Sequence, residues 1–366
     1  MNILLLTGSP EGDSSLRIIE EAKKRGHNVI NMLPKDIILH TSESVNGYDS
    51  VAVRDKRIFK KDIDVIISRM GSGTKYGCKV LRHFVENLGV PSTCTAEAIE
   101  MASDKWRSIQ KCSASKIRVP KSTIVKDPSS VDFDGLVNSV GGLVCVAKTL
   151  TGSQGNGVMI LETPLAASTA LSTLAKNEVE MMFQRFIESS KQDEKKADIR
   201  AWVIDGEFVT AYKRFSVKGG FRSNYTLSKD GEKVTLTNEE KMMAVNAAKA
   251  LGLGITGVDI VRDANDNNKP YFIEANSNPS LVGVEKITEE NVAVKIVMYA
   301  EKLARQKKGN GKLSELSALD SSKAGICGMT RAAMNGEWNY RGRSAEDIIN
   351  NSPMTKYGNG TGPRPW

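Results

Sequence analysis

A chain of 366 residues, 40% apolar and 26% charged, is globular in composition and long enough for two or three cores, which excludes a fibrous or wholly disordered protein. Its formal charge of +8 suits an anionic ligand such as a nucleotide, suits nucleic acid equally, and is also met in proteins whose basic surface is merely solvated. Cys78, Cys94, Cys112, Cys145 and Cys327 show no C-x-x-C or zinc spacing and read as reduced thiols, while His27, His40 and His83 lie outside any H-E-x-x-H or triad pattern, so zinc hydrolysis and imidazole catalysis are poorly supported.

The opening MNILLLTGSPEG holds an apolar run too short for a signal peptide or a membrane span, with no basic residue before it, which predicts a cytoplasmic protein. Over residues 1–100 short apolar runs alternate with amphipathic stretches, the pattern of a βαβ layer on a parallel sheet. Asn2–Leu6 is the first strand. Gly8–Pro10 turn the chain into a helix from Ser14, with Leu16, Ile18 and Ile19 facing inward and Lys23–Arg25 in its last turn. Further strands are expected at Asn28–Met32 and Asp62–Ser68. RMGSGTKY, Arg69–Tyr76, is then a glycine-rich loop at a strand's carboxyl end, where open α/β sheets take ligands. Neither it nor Gly8–Gly12 matches G-x-G-x-x-G, so no dinucleotide site is expected.

From about residue 100 the pattern predicts a smaller α+β unit. Leu143–Ala147 reads as a continuous apolar strand ending in Lys148. The following TLTGSQGNG and the apolar run Val158–Leu161 complete a strand–loop–strand hairpin, and Thr163-Pro164 start a helix. Thr237 and Glu240 form a capping box before an amphipathic helix carrying Met242, Val245, Ala248 and Leu251. In GITGVDIVRD, alternation puts Asp259 on the side of Ile255 and Val261; in YFIEANSNP, Glu274 and Asn276 share a face. After residue 304 Gly, Ser, Asn and Lys dominate and periodicity fades, which predicts a tail over 305–366 with a short helix at Ser344–Ile349.

Asp259, Glu274 and Asn276 at the ends of neighbouring strands form an oxygen-only set that suits magnesium on nucleotide phosphates; spacing alone also allows solvated strand ends. The loop Gly152–Gly157, with Gly155 inside it, can bring backbone N–H groups against phosphates, although no G-K-[ST] makes it a Walker loop. Lys148 before this loop, and Lys105 in DKWRS, are placed to neutralise phosphate or simply to carry charge out to solvent. Arg222 in GGFRSN sits in a polar loop that can close over a reacting phosphate or stay exposed.

Taken together and in order, RMGSGTKYG, DKWRSIQ, VAKTLTGSQGNGVMILET, ADIRAWVIDGEFVTAYKR, FRSN, ITGVDIVRD and EANSNPSLVGVEKIT resemble the RimK-type ATP-grasp family over residues 1–304. The resemblance implies an ATP-grasp fold of mixed α/β and α+β class: a Rossmann-like N-terminal domain at 1–100, a central lobe at 101–188, a metal-bearing lobe at 189–304, and an appended basic tail. It implies ATP and magnesium, or manganese in its place, as cofactors. Lys105 and Lys148 would contact the phosphates, Gln184, Arg185, Phe186 and Ile187 would form the adenine strand, and Asp198 would line the nucleotide site. Arg222, Ser223 and Asn224 would lie by the γ-phosphate, with Arg222 catalytic, and Asp259, Glu274 and Asn276 would bind two magnesium ions.

The activity so implied is ATP-dependent amide formation through an acyl phosphate, joining an amino acid such as glutamate to a protein or peptide carboxyl group, in a homo-oligomer. Three departures are visible: Arg185 stands where the family usually has glutamate, YTLSKDGEKVT replaces a basic glycine-rich stretch, and the tail has no counterpart. Alternatives are a ligase for small molecules or ribosomally made peptides, and a nucleotide-binding module without ligase activity. The tail's Arg331, Trp338, Tyr340, Arg341 and Arg343 also mix charge with stacking surface, as nucleic-acid binders do.

Overall fold

Ile3, Leu4, Leu5 and Leu6 are wholly buried, because the strand they form, β1 (Asn2–Thr7), is the middle of a parallel sheet covered on both faces. The computed structural model describes residues 1–40, 50–53, 56–71, 74–126, 132–151, 157–165, 167–169, 180–189, 197–216 and 231–307. Gly155, Arg222, Ser223, Asn224, Cys327 and the whole segment from 308 onward, with its expected helix and aromatic–basic cluster, lie outside the described residues.

Beside β1 run β2 (Asn28–Met32) and, after a small antiparallel sheet of β3 (Ile37–Ile38), β4 (Ser50–Val53) and β5 (Lys56–Phe59), the strand β6 (Val65–Arg69). β6 starts later than the apolar run suggests, because Lys60–Asp62 forms a 3-10 turn in which the Asp62 carboxylate accepts the Phe59 N–H at 2.9 Å. The helix Asp13–Lys24 buries Ile18 and Ala22, but Leu16 is 52% exposed and corrects the expected inward set. Residues two apart on a helix point about 200° apart, so Leu16 and Ile18 cannot share a face.

A second, antiparallel sheet has the order β7-β10-β8-β9, with β7 (Ser122–Val125), β8 (Cys145–Thr149), β9 (Val158–Leu161) and β10 (Met181–Arg185). The β8–β9 hairpin is the one expected. Leu143 and Val144, expected inside its first strand, are exposed instead, and the strand begins only at Cys145, after the positive-φ pair Gly141 and Gly142. This sheet has a core of its own, including Val140, Cys145, Ala147, Met181 and Phe183.

The third sheet, order β13-β12-β11-β14-β15, is antiparallel throughout and is built from β11 (Ala197–Ile204), β12 (Glu207–Phe215), β13 (Gly231–Lys233), β14 (Ile255–Asp263) and β15 (Lys269–Asn276). The helix Asn238–Leu251 packs on it, opened by the expected Thr237–Glu240 capping box and closed by Gly252 at φ 71°. Its buried face is Met243, Ala244, Ala247, Ala248 and Leu251, with Met242 62% exposed, so the expected Met242–Val245 phase is off by one residue. The cause is Glu240, which must face inward because Arg262 donates to both its carboxylate oxygens, at 2.5 and 2.9 Å; one helical period from Glu240 leads to 243 and 244.

Between β14 and β15 the register shifts: Asp259 pairs with Glu274, yet the next residue, Ile260, pairs with Phe272. The extra residue on β15 sends Phe272 into the core and leaves Glu274 on the face of Asp259. A last helix over 292–307 runs past residue 304, and residues 1–307 form one compact unit. No helix among the described residues is long and apolar enough to cross a membrane.

Candidate active site

Cross-strand register, more than any single motif, assembles the site. Tyr212, Arg200, Asp259 and Glu274 are paired in turn across β12, β11, β14 and β15, forming one row. Asp198 and Arg214, each two residues from a member of that row, pair with one another and lie on the same face. The result is a buried network of four charges. Arg200 grips the Asp259 carboxylate through Nε at 2.7 Å and Nη2 at 2.6 Å, and Arg214 reaches the same carboxylate at 2.9 Å. Arg214 also holds Asp198 in a two-pronged contact at 2.7 and 2.5 Å.

Burial alone would raise the Asp259 carboxyl, but the two guanidiniums overcome it and hold Asp259 well below the ordinary carboxylate range. Asp198 moves the other way, raised by burial and by the Asp259 charge despite its share of Arg214.

Asn276 completes the donor set on β15. Its amide lies 3.3 Å from Glu274 Oε1 and 3.5 Å from Asp259 Oδ2, so the three side chains expected as metal ligands do converge. Among the described residues no three His, Cys, Asp or Glu side chains cluster as a cage. The Asn276 Nδ2 faces the two carboxylates, and turning the amide over would present its oxygen instead; two carboxylates and that oxygen leave coordination positions for phosphate and water, which fits magnesium, an ion that keeps waters and shares substrate oxygens.

On the smaller sheet, Lys148 sits in β8 and is 9% exposed, donating from Nζ to Gln184 Oε1 at 2.6 Å; Gln184 in turn donates to Ser122 Oγ at 2.9 Å. Burial pushes the Lys148 ammonium down to about 8, with Glu274 opposing and Lys105 adding to the fall. Lys105 opens the helix Lys105–Ala114 behind the N-cap Asp104, and its backbone N–H donates to Leu150 O at 3.0 Å. Burial lowers Lys105 too, and Glu274 again opposes. Glu274 therefore acts on both lysines, and the lysines repel one another. Desolvated cations beside a carboxylate pair fit a polyanion bridged to a divalent ion.

Of the expected adenine strand, Gln184 and Arg185 belong to β10, while Phe186 and Ile187 follow it outside regular pairing. The Arg185 side chain is ion-paired to Asp263, with its guanidinium 5.2 Å from the centre of the Tyr271 ring, and its N–H donates to Lys121 O at 2.8 Å. It links the sheet of β10 to that of β14 and β15. Cys78, Cys94, Cys112 and Cys145 are free and buried, and burial raises every one of these thiols.

Arg200 and Arg214 are the residues that sequence reasoning left unassigned. Spacing shows only that Asp198 and Arg200, like Tyr212 and Arg214, are two apart in strands and share a face; their pairing with Asp259 comes from register.

An oxygen donor set on one antiparallel sheet, with the buried Lys148 on a smaller one and the partly buried Lys105 at a helix start, behind a parallel-sheet domain, is the arrangement of an ATP-grasp enzyme. The comparisons agree. Residues 1–99 match the RimK PreATP-grasp domain and residues 102–300 the RimK-like ATP-grasp domain. The chain is 36% identical over 308 residues to a probable alpha-L-glutamate ligase 1 of Shewanella amazonensis, covering 84% of this chain and 97% of that protein. To a probable alpha-L-glutamate ligase of Picosynechococcus it is 36% identical over 307 residues, covering 83% and 96%. In fold it is similar to the ATP-grasp ligase PsnB complexed with a phosphomimetic variant of minimal precursor, Mg and ADP, with TM-score 0.63, 18% identity and 82% and 98% coverage. D-alanine–D-alanine ligase of Bacillus anthracis complexed with ATP aligns with TM-score 0.56, 17% identity and 85% and 99% coverage. The chain belongs to the RimK-like ATP-grasp family and is a carboxylate–amine ligase of that class.

Proposed function

We propose that this enzyme uses ATP and magnesium to join an amino acid such as glutamate to a carboxyl group of a protein or peptide. The observation that carries the site assignment is the meeting of Glu274, Asp259 and Asn276 on one sheet face, with Lys148 buried in β8 on Gln184. The names of the sequence relatives support the choice of amino acid.

Asp259, Glu274 and Asn276 would hold magnesium, with manganese able to replace it, and the ion would neutralise phosphate charge when bound. Lys105 and Lys148 hold the ATP phosphates, the backbone N–H of Gly155 would serve them too, and Asp198 lines the nucleotide site. Backbone groups of Gln184–Ile187 read the base, since the Arg185 guanidinium is held by Asp263 and Tyr271. Arg200 and Arg214 keep Asp259 ionised and fixed in direction.

A carboxylate oxygen of the acceptor attacks the γ-phosphorus and ADP leaves; the amine nitrogen then attacks the acyl carbon, phosphate leaves, and the amine loses a proton. Arg222, with Ser223 and Asn224, would stabilise the moving phosphoryl group. The protein supplies position and charge rather than a nucleophile. The domain limits proposed are 1–100, 101–188 and 189–304, the working form is a homo-oligomer, and the setting is the cytoplasm.

The test is to incubate the full chain with ATP, magnesium and pools of amino acids, with and without peptides bearing free carboxyl groups, following phosphate release and acceptor mass. The account expects release that needs both partners and an acceptor heavier by whole amino-acid residues. Release with amino acids alone would move the substrate to small molecules, and nucleotide binding without release would leave only a binding module.

A further inference from the structure

Arg69 closes β6 at the carboxyl edge of the parallel sheet and is 3% exposed. Its Nη2 donates to the Pro279 carbonyl at 2.5 Å, and among the described residues its Nη1 has no partner and no carboxylate pairs with it. A buried guanidinium without a counter-charge is costly to keep. What it touches is therefore informative: Pro279 follows the proposed ligand Asn276 by three residues.

The same short segment is tied to the N-terminal layer at two further points. Ser277 Oγ donates to Met70 O at 3.1 Å, and Leu281 N–H donates to Ser14 Oγ at 3.1 Å. The other side of the segment is fixed by the large sheet. Thr256 Oγ1 donates to the Asn276 carbonyl at 3.0 Å, and Gly257, which pairs with Asn276, leaves the room that Pro279 fills: a Cβ there would lie 2.9 Å from Pro279 Cβ. Residues 276–281 are thus clamped between two layers.

We propose that Arg69 is a positioning residue for the metal site: by holding the Pro279 carbonyl it fixes the turn that aims Asn276 and Glu274, so the N-terminal domain shapes the magnesium site without touching it. This rests on the assignment of Asp259, Glu274 and Asn276 as magnesium ligands.

The test compares Arg69→Met, Arg69→Lys and Ser277→Ala in the full chain. It measures thermal unfolding, ADP affinity in EDTA, ADP affinity in magnesium, and the magnesium concentration giving half-maximal phosphate release. Arg69→Met should bind ADP in EDTA within about twofold of the parent but need roughly tenfold more magnesium, the scale of losing a residue that orients metal ligands. Arg69→Lys, which keeps one donor for Pro279, should recover most of that loss, and Ser277→Ala should shift the magnesium requirement by about threefold in the same direction. An unchanged magnesium requirement in folded Arg69→Met overturns the proposal; should that variant not fold, an unchanged requirement in Ser277→Ala overturns it. Asp259→Asn separates the two claims, because an unchanged magnesium requirement there removes the metal site itself, whatever Arg69 does.

Discussion

Replacing Lys148 with methionine should strengthen or preserve the fold while weakening nucleotide binding, a pair of signs that a merely structural lysine does not give. The fall of the ammonium from 10.5 to about 8 corresponds to a penalty of about 3 kcal/mol for keeping it charged in its buried position. Methionine removes that penalty but strands Gln184 Oε1, now bonded at 2.6 Å, which costs about 1–3 kcal/mol. The net expectation is a gain of roughly 0–2 kcal/mol at pH 7. The unfolded chain binds the extra proton between the two values, so parent stability rises with pH from about 8 to 10.5 and the advantage of Lys148→Met fades over that window.

ADP affinity should drop about 10- to 100-fold, as for one charge-assisted hydrogen bond lost to phosphate. Urea unfolding at pH 7 and 10, with calorimetric titration of ADP, gives both quantities. Lower stability by more than about 1 kcal/mol together with parental ADP affinity would refute the reasoning and make Lys148 a structural residue.

Asp259→Asn and Glu274→Gln should each lower turnover by orders of magnitude, checked by steady-state rates on protein shown by circular dichroism to be folded, with Asp259→Asn the less stable because Arg200 and Arg214 lose their shared carboxylate; near-normal rates in both would remove the metal site. Glu301→Gln should cost about 1–2 kcal/mol at pH 7, because Arg25 donates to both oxygens of Glu301 and, against burial and with help from His27, holds it at about 2, while solvent screens the pair where Arg25 is 34% exposed. A depressed carboxyl stabilises above its unfolded value near 4.5 and loses that effect as pH falls toward 2, so parent and variant should converge in acid unfolding. Arg222→Lys should bind ATP within a few-fold of the parent but lose roughly 10²-fold in ligation rate, since lysine lacks the planar fork; equal losses in both would place Arg222 in ground-state binding.

Alternation along a strand carries face but not register, and this separates what was legible from what was not. Glu274 and Asn276 could be placed on one face by counting, and the structure brings them within 3.3 Å. Arg200 could not be singled out in the same way, because its meaning comes from standing opposite Asp259 on a strand 59 positions later. A charged residue in a strand reads as solvated until its neighbour is known.

Helix phase failed for a related reason. Apolar residues stand side by side along the helix Asn238–Leu251, Met242 beside Met243 and Ala244 beside Val245, so two phases were open, and the choice was made by the Glu240–Arg262 ion pair across to β14. Arg185 was visible as a departure, but only the tertiary fold shows its charge spent on Asp263 and Tyr271.

The central claim is that a substrate carboxylate takes the γ-phosphoryl group before the amine attacks, and an isotope experiment reads that step directly. An acceptor peptide with ¹⁸O in its carboxyl groups is incubated with the enzyme, glutamate, ATP and magnesium, and the released phosphate is analysed by mass spectrometry. The account predicts one ¹⁸O in each phosphate formed, carried over from the carboxyl oxygen that attacked phosphorus, with ADP as the nucleotide product. Phosphate free of ¹⁸O, alongside amide formation or with AMP and pyrophosphate in place of ADP, would contradict it.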